Sequence, residues 1–367
     1  MKRNTLVRAA MPAGLALTFA LTACGAPANE PSAPAPGASG ADSGATATIA
    51  GIGASSQKSA MESWKANFQK ANPSATVNYD PQGSGAGREQ WLAGAADFAG
   101  SDSALKPEEA EKVPATCGDV VEFPAYVSPI AIAYNVEGVD NLQLSASTIA
   151  KIFAGKITKW NDPAIAAENA GVTLPATAIT TVHRSDKSGT TENFTDYLSK
   201  AAKADWTEKA SGDWPMKGGE AAKGTSGVVD AIKSGNGTIG YADHSQIGDL
   251  KVVKVKVGEE YVEPTSEGAA AIVDESEQEK RTSPYDFVIN IKRDTTNPKA
   301  YPVTLLTYTI TCSKFSDADK ANTVKSFLQY VVSEEGQKAA EESAGSAPIS
   351  DKTREAAMKG IDTIAAG

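Results

Sequence analysis

The chain is poor in the residues that hold metals. Two histidines and three cysteines are spread over 367 residues, too few and too widely spaced for a zinc site. No cofactor motif is complete. Positive charge is also in deficit, with 35 Lys and Arg against 45 Asp and Glu, net −10. That balance argues against nucleic acid or an anionic membrane surface as a partner. No apolar run is long enough to span a bilayer. Internal repeats are absent, and low complexity is confined to residues 25–48.

What is present begins with an export signal. Lys2, Arg3 and Arg8 precede the short apolar run "AAMPAGLALTFALTA", the pattern of a signal peptide over residues 1–23. Leu21-Thr22-Ala23-Cys24 resembles the bacterial lipoprotein signal, in which Cys24 becomes the lipidated N-terminus. Residues 25–48 contain no large apolar side chain and are expected, with Cys24, to form a disordered tether. A coil of that length reaches about 25–30 Å. Removing residues 1–23 leaves 32 basic residues against the same 45 acids, a net charge of −13. Any anion site must therefore be built locally, against the long-range field. With Cys24 lipidated, Cys117 and Cys312 remain in an oxidising compartment, where a disulfide between them is expected.

Strand and helix patterns alternate through the remaining chain. Strands are predicted at 46–53, 74–80, 97–101, 177–184, 250–257 and 285–292. Helices are predicted at 56–72, 87–97, 147–155, 317–333 and 333–344. The segment 227–243 reads helix, Gly-Asn-Gly turn, strand. This is an α/β pattern with largely parallel sheets. Two long extended apolar runs, 120–136 and 301–312, suggest a chain that leaves one domain and later returns to it.

Three strand-to-helix turns look alike: "GIGASSQKS" (51–59), "QGSGAGREQ" (82–90) and "SDKSGTTEN" (185–193). A helix start leaves backbone N–H groups unpaired and carries partial positive charge, which an anion can occupy. Each turn alone is equally well read as an ordinary Ser or Thr N-cap. None continues into the Lys-Ser/Thr of a P-loop. Arg184 feeds the third turn, adding charge where the helix is already positive. Asp102, in "AGSDSAL", ends a predicted strand, where a ligand-facing residue sits in an α/β sheet. An acid beside an anion site makes sense if the anion carries a proton; a helix or turn cap is the alternative. His183 should point away from the face that Arg184 uses and make a local hydrogen bond. The five tryptophans are read as packing residues.

These turns, together with "GKITKWNDPAI" (155–165), "GTIGYAD" (237–243) and "EEGQKAAEESAGSAPI" (334–349), resemble the phosphate-binding lipoproteins of bacterial ABC-type phosphate importers. The similarity covers roughly residues 47–350. It implies a two-lobed periplasmic-binding-protein fold of type II, with ligand in the inter-lobe cleft. Lobe I would comprise 49–124 and 300–367, lobe II 125–299, with hinges near 120–136 and 285–312. It further implies that phosphate is held by Ser55, Ser56, Ser84, Asp102, Arg184, Ser188, Gly189 and Thr190, with Asp186 pairing Arg184. The partners implied are inorganic phosphate and a membrane permease. The protein would be a lipid-anchored monomer without cofactor or metal, and not an enzyme. This chain departs from the family at Ala50, often Thr, at Ser56, often aromatic, and at Asp80-Pro81-Gln82, where the family is richer in glycine.

Two rival readings stand beside this. Ser55-Ser56-Gln57-Lys58, Ser101-Asp102-Ser103 and Lys187-Ser188-Gly189 approximate, in order, the three motifs of penicillin-recognising serine enzymes. A surface adhesin or sensor lipoprotein could use the same fold.

Overall fold

The computed structural model describes residues 44–367. The predicted signal peptide, Cys24 and tether residues 25–43 lie outside the described residues. The last five positions assigned to the tether belong to the globule. Ala45 is buried, the N–H groups of Thr46 and Ala47 donate to Thr323 Oγ1 at 3.2 and 3.1 Å, and Thr48 opens the first strand. Small residues gave no apolar signal there, yet one threonine hydroxyl accepts both amides.

Nine strands make one curled sheet: β1 (Thr48–Gly53), β2 (Thr76–Asp80), β3 (Phe98–Ser101), β4 (Val120–Asn135), β5 (Thr180–Arg184), β6 (Glu220–Ala222), β7 (Thr238–Asp243), β8 (Lys251–Val252) and β9 (Thr304–Cys312). Their order is β2-β1-β3-β9-β4-β7-β5-β6, with β8 also on β4. Pairing is parallel among β1, β2 and β3 and among β5, β6 and β7. It is antiparallel wherever β4 or β9 takes part, so the expectation of largely parallel sheets holds only within each half.

β4 joins the halves. Val120–Pro129 pair with β9, and Ile130–Asn135 pair with β7. The strand is buried almost throughout, which explains an apolar run without alternation. β9 is the second such run. The predicted strand 285–292 is mostly irregular, with only Ile289-Asn290 in a two-residue ladder. Glu122 N–H donates to Tyr285 O and Phe287 N–H to Glu122 O, which sets this segment beside the first half of β4. The next edge position on β4 is Pro124, which has no N–H to continue the pairing.

Helices cover both halves. α1 (Lys58–Ala71) buries Ala60, Met61, Trp64 and Phe68 at helical spacing and stops before Pro73. α2 (Ser84–Leu92) follows β2, and α3 (Ala146–Phe153), α4 (Gly189–Ala201) and α5 (Gly224–Ser234) pack around the second half. α6 (Ser266–Asp274) lies against β4. α7 (Ala318–Val332), α8 (Glu334–Ala344) and α9 (Asp351–Ile361) return to the first half, where Phe327 meets Phe68 edge-on. Ser333 ends α7 and caps α8 by accepting from Gly336 N–H at 3.0 Å. Trp64, Trp160 and Trp206 are fully buried; Trp64 Nε1 donates to Gly336 O and Trp160 Nε1 to Gly237 O.

Cys117 and Cys312 are bonded, with Cα atoms 4.8 Å apart across 195 residues of sequence. The bridge ties the approach to β4 to the end of β9, so it closes the loop that contains the whole second half. Replacing both cysteines by alanine is expected to cost about 2–5 kcal/mol, read as a lower urea midpoint with an intact far-ultraviolet spectrum.

Candidate functional site

The three turns leave the carboxyl ends of β1, β2 and β5 and meet at the seam between the halves. The first and second belong to one half, the third to the other. α2 begins at Ser84 and not at 87; its glycines read as a loop, but they let the opposite half press close. Gly85 N–H donates to Lys187 O at 3.1 Å. Gly83 has φ 103°, and a Cβ there would fall 2.4 Å from Asp186 Oδ2. A Cβ on Gly189 would lie 2.6 Å from both Asp102 Cβ and Ser84 Oγ. These two positions must be glycine for the turns to converge.

Asp102 is the centre, only 3% exposed. Its Oδ1 accepts from Ser56 Oγ at 2.6 Å and Thr307 Oγ1 at 2.8 Å, and its Oδ2 from Thr190 Oγ1 at 2.9 Å. Its own N–H donates to Ser84 Oγ at 3.0 Å. Burial raises the Asp102 pKa, opposed by the three hydroxyls and by the charge of Arg184. A carboxylate offers about four acceptor positions. Three are filled, and the one left is on Oδ2.

Arg184 is buried, with Nε 2.8 Å from Asp186 Oδ1 and Nη2 2.5 Å from Oδ2. Gly224 N–H also donates to Asp186 Oδ1, at 3.0 Å. Burial works to raise the Asp186 pKa, but the bonds and charge of Arg184 outweigh it, and the pKa lies below the usual carboxylate range. Ser188 caps α4 by accepting from Thr191 N–H at 3.2 Å. Ser55 Oγ bonds Thr225 Oγ1 at 3.0 Å and accepts from Thr225 N–H at 3.2 Å. The structure thus brings together Ser55, Ser56, Ser84, Asp102, Arg184, Asp186, Ser188, Gly189 and Thr190, drawn from the three turns and the end of β3.

Sequence reasoning missed several neighbours. Thr307 comes from the middle of an apolar strand, where the recurrence of threonine in "TLLTYTITC" was the only signal. Gln246 Nε2 donates to Ser55 O and Ser56 O at 2.9 and 2.7 Å. Asn193 Nδ2 donates to Asp102 O at 2.6 Å, and Arg293 Nη2 in turn donates to Asn193 Oδ1. Thr225 and Gly224 open a fourth helix whose start carried no recognised pattern.

The serine-enzyme geometry is not formed. Lys58 is exposed and pairs with Glu62, while Ser55 Oγ faces Thr225. Ser55 also precedes α1, of which Lys58 is the first residue. His183 Nδ1 lies 3.0 Å from Arg184 O and its ring stacks on Trp214, outside the site. Among the described residues no group of three His, Cys, Asp or Glu side chains is placed to hold a metal, and no helix is long and apolar enough to cross a membrane.

A second buried acid lies where β7 leaves β4. Asp243 Oδ1 accepts from Tyr126 OH at 3.1 Å and from Ser245 N–H at 3.0 Å, while Oδ2 is buried without a hydrogen-bond partner. Burial, incompletely offset by the hydroxyl and N–H of Ser245, pushes its pKa up to about 7.

Residues 38–335 match the model of the PBP superfamily domain. Phosphate-binding protein PstS2 of Mycobacterium bovis is 35% identical over 326 residues, covering 86% of this chain and 87% of that protein. Among solved structures, the high affinity periplasmic phosphate-binding protein PfluDING, bound with phosphate, superposes with a TM-score of 0.72 at 22% identity, covering 84% of this chain and 92% of that one. A putative phosphate ABC transporter substrate-binding protein from Clostridium perfringens gives 0.59 at 20% identity, over 81% and 98%. These two likenesses establish the fold, a two-lobed binding-protein architecture.

Because Asp243 holds its proton in the folded chain to about pH 7, well above its ordinary value of 3.8, its contribution to stability is full below pH 3.8. It is lost as pH rises through 7. Asp243→Asn keeps an acceptor for Tyr126 and removes this loss. Its stability relative to the parent, from urea unfolding, is expected to rise from pH 4 to 7 and level off above, a swing on the order of a few kcal/mol.

Proposed function

The chain belongs to the phosphate-binding proteins of the PBP superfamily, and on that premise we propose that it captures inorganic phosphate outside the membrane and delivers it to an ABC-type permease. The observation that carries the reading is the pairing of a buried acid with a buried arginine where three helix starts converge. Neutral N–H and hydroxyl donors from Ser55, Ser56, Ser84, Ser188, Gly189 and Thr190 surround the anion. Asp186 occupies Arg184 Nε and one N–H of Nη2, which leaves Nη1 and the second N–H of Nη2 for the ligand. Such a fork suits a tetrahedral oxyanion.

Asp102 supplies selectivity. Monobasic and dibasic phosphate both keep a P–OH, which donates to the open position on Oδ2. Sulfate at neutral pH has no proton, so its oxygen would meet the carboxylate lone pair to lone pair. A site built around such a bond rejects the analogue lacking it by as much as about 10⁴–10⁵-fold. The penicillin-enzyme alternative is not favoured. The protein is a binding protein with no catalytic step.

The change of partner within β4 at Pro129-Ile130 supports a hinge in that strand, with the chain that returns ahead of β9 as the second crossing. On this reading lobe I is the half built on β1, β2, β3 and β9, lobe II the half built on β5, β6 and β7, and closure buries the anion. Export through residues 1–23, lipidation of Cys24 and a monomeric state complete the proposal.

Calorimetric titration of the ligand-stripped protein at matched ionic strength tests the site. One-to-one phosphate binding without a sulfate signal is expected, and equal binding of both anions would remove Asp102 as selector. Asp102→Asn should narrow the phosphate-over-sulfate gap at least tenfold, and an unchanged sulfate affinity would count against the acid. Solution scattering should show a smaller radius of gyration with phosphate; superimposable profiles would remove closure from the account.

A further inference from the structure

Of the three hydroxyls that bind Asp102, two belong to turns that face the anion. Ser56 and Thr190 each have one proton, and each sits where the ligand is expected. The third, Thr307, is different. It comes from β9, is fully buried, and directs its proton at Asp102 Oδ1 from 2.8 Å.

Its aim is set by an irregularity in the sheet. Along the β9–β4 ladder Thr307 faces Tyr126 and Tyr308 faces Pro124, so Ala125 is an extra residue on β4. A bulge of this kind bends the strand and re-aims a neighbouring side chain. The displaced carbonyl of Ala125 accepts from Gln337 Nε2 at 3.0 Å, and Gln337 Oε1 accepts from Ile349 N–H at 3.0 Å. The bulge is therefore held from behind by α8, independently of the anion.

We infer that Thr307 is a specificity-determining positioning residue: its hydroxyl keeps Asp102 a proton acceptor toward the bound anion, through the single oxygen Oδ2. The inference rests on the phosphate reading above. With Ser56 and Thr307 on Oδ1, both of that oxygen's acceptor positions are filled, and a P–OH can reach only Oδ2. When Thr190 turns its proton to the anion, Thr307 still stabilises the charged carboxylate. Without it Oδ1 is left partly unsatisfied in a buried site, which favours the protonated acid. A protonated Asp102, having taken its proton from solvent, donates to an anion that carries none. The site would then accept sulfate. The charged and titratable groups around Asp102 act in known directions: Arg184, itself paired with Asp186, favours the carboxylate, while Asp243 and Tyr79 interact with it as like charges when ionised.

The test compares the parent protein with Thr307→Val, which keeps the shape and removes the donor, and Thr307→Ser, which keeps the donor. Each is titrated calorimetrically with phosphate and with sulfate from pH 5.5 to 8.5. The valine variant should lose tenfold or more of the phosphate-over-sulfate ratio at the acid end, chiefly by gaining sulfate affinity. The gain should fade as pH rises and the acid ionises, and serine should restore the parent ratio. A valine variant with the parent ratio at every pH, or with equal losses for both anions, overturns the inference and leaves the phosphate site standing. If valine prevents folding, Thr307→Ala is read by the same ratio. A folded parent that binds no phosphate overturns the functional reading as well.

Discussion

Everything at the seam answers to one constraint, the burial of the Asp102 carboxylate. An isolated charge in a dry interior is costly, and the protein meets that cost with hydroxyl donors from three separate elements. Ser56 comes from the first turn, Thr190 from the third and Thr307 from a crossing strand, with Arg184 nearby to favour the charged form. Because these donors belong to both halves of the sheet, the acid also acts as the point at which the halves are matched. On the proposed reading, the same charge that would repel an anion lets the acid discriminate between anions that carry a proton and those that do not.

The surrounding chemistry follows from the sign of the whole chain. A protein with net charge −10 repels anions at long range, and screening limits that field to about a Debye length. The site offsets it at short range with neutral donors and one arginine. Asp186 holds that arginine from one side and is itself held by Gly224 N–H. The guanidinium is thus oriented before any ligand arrives, and little ordering entropy is left to lose on binding.

The mechanical frame is equally economical. β4 runs through the junction, β9 starts at it opposite Pro129, and the disulfide joins their neighbouring ends. On the proposed reading, motion of one half against the other passes through β4 and through the chain that returns ahead of β9. The bulge at Ala125 and the buried acid Asp243 both sit on that path, so the places where the sheet is irregular or imperfectly satisfied are also the places where it can bend.

Much of this was legible in the chain itself. The helix α1 follows from Met61, Trp64 and Phe68 at helical spacing, the crossing strands from two unbroken apolar runs, and the disulfide from compartment and cysteine count. The three small-residue turns stood out by recurring, Asp102 by ending a strand beside them, and Arg184 because no local rule gave it a purpose. What tertiary structure alone decided is equally specific. It moved the start of α2 back to Ser84, where the Lys187 side chain fills the space a Cβ on Gly85 would need and the Lys187 carbonyl accepts from Gly85 N–H. It dissolved most of the strand at 285–292, because Pro124 on a distant segment could not supply the next amide. It brought Thr307, Gln246, Asn193 and Thr225 to the site from positions whose local patterns describe core or caps. Sequence determines what a segment can do by itself, through periodicity, capping and charge. Which hydroxyl finally points at which oxygen depends on partners tens to hundreds of residues away, and that information exists only once the chain has folded.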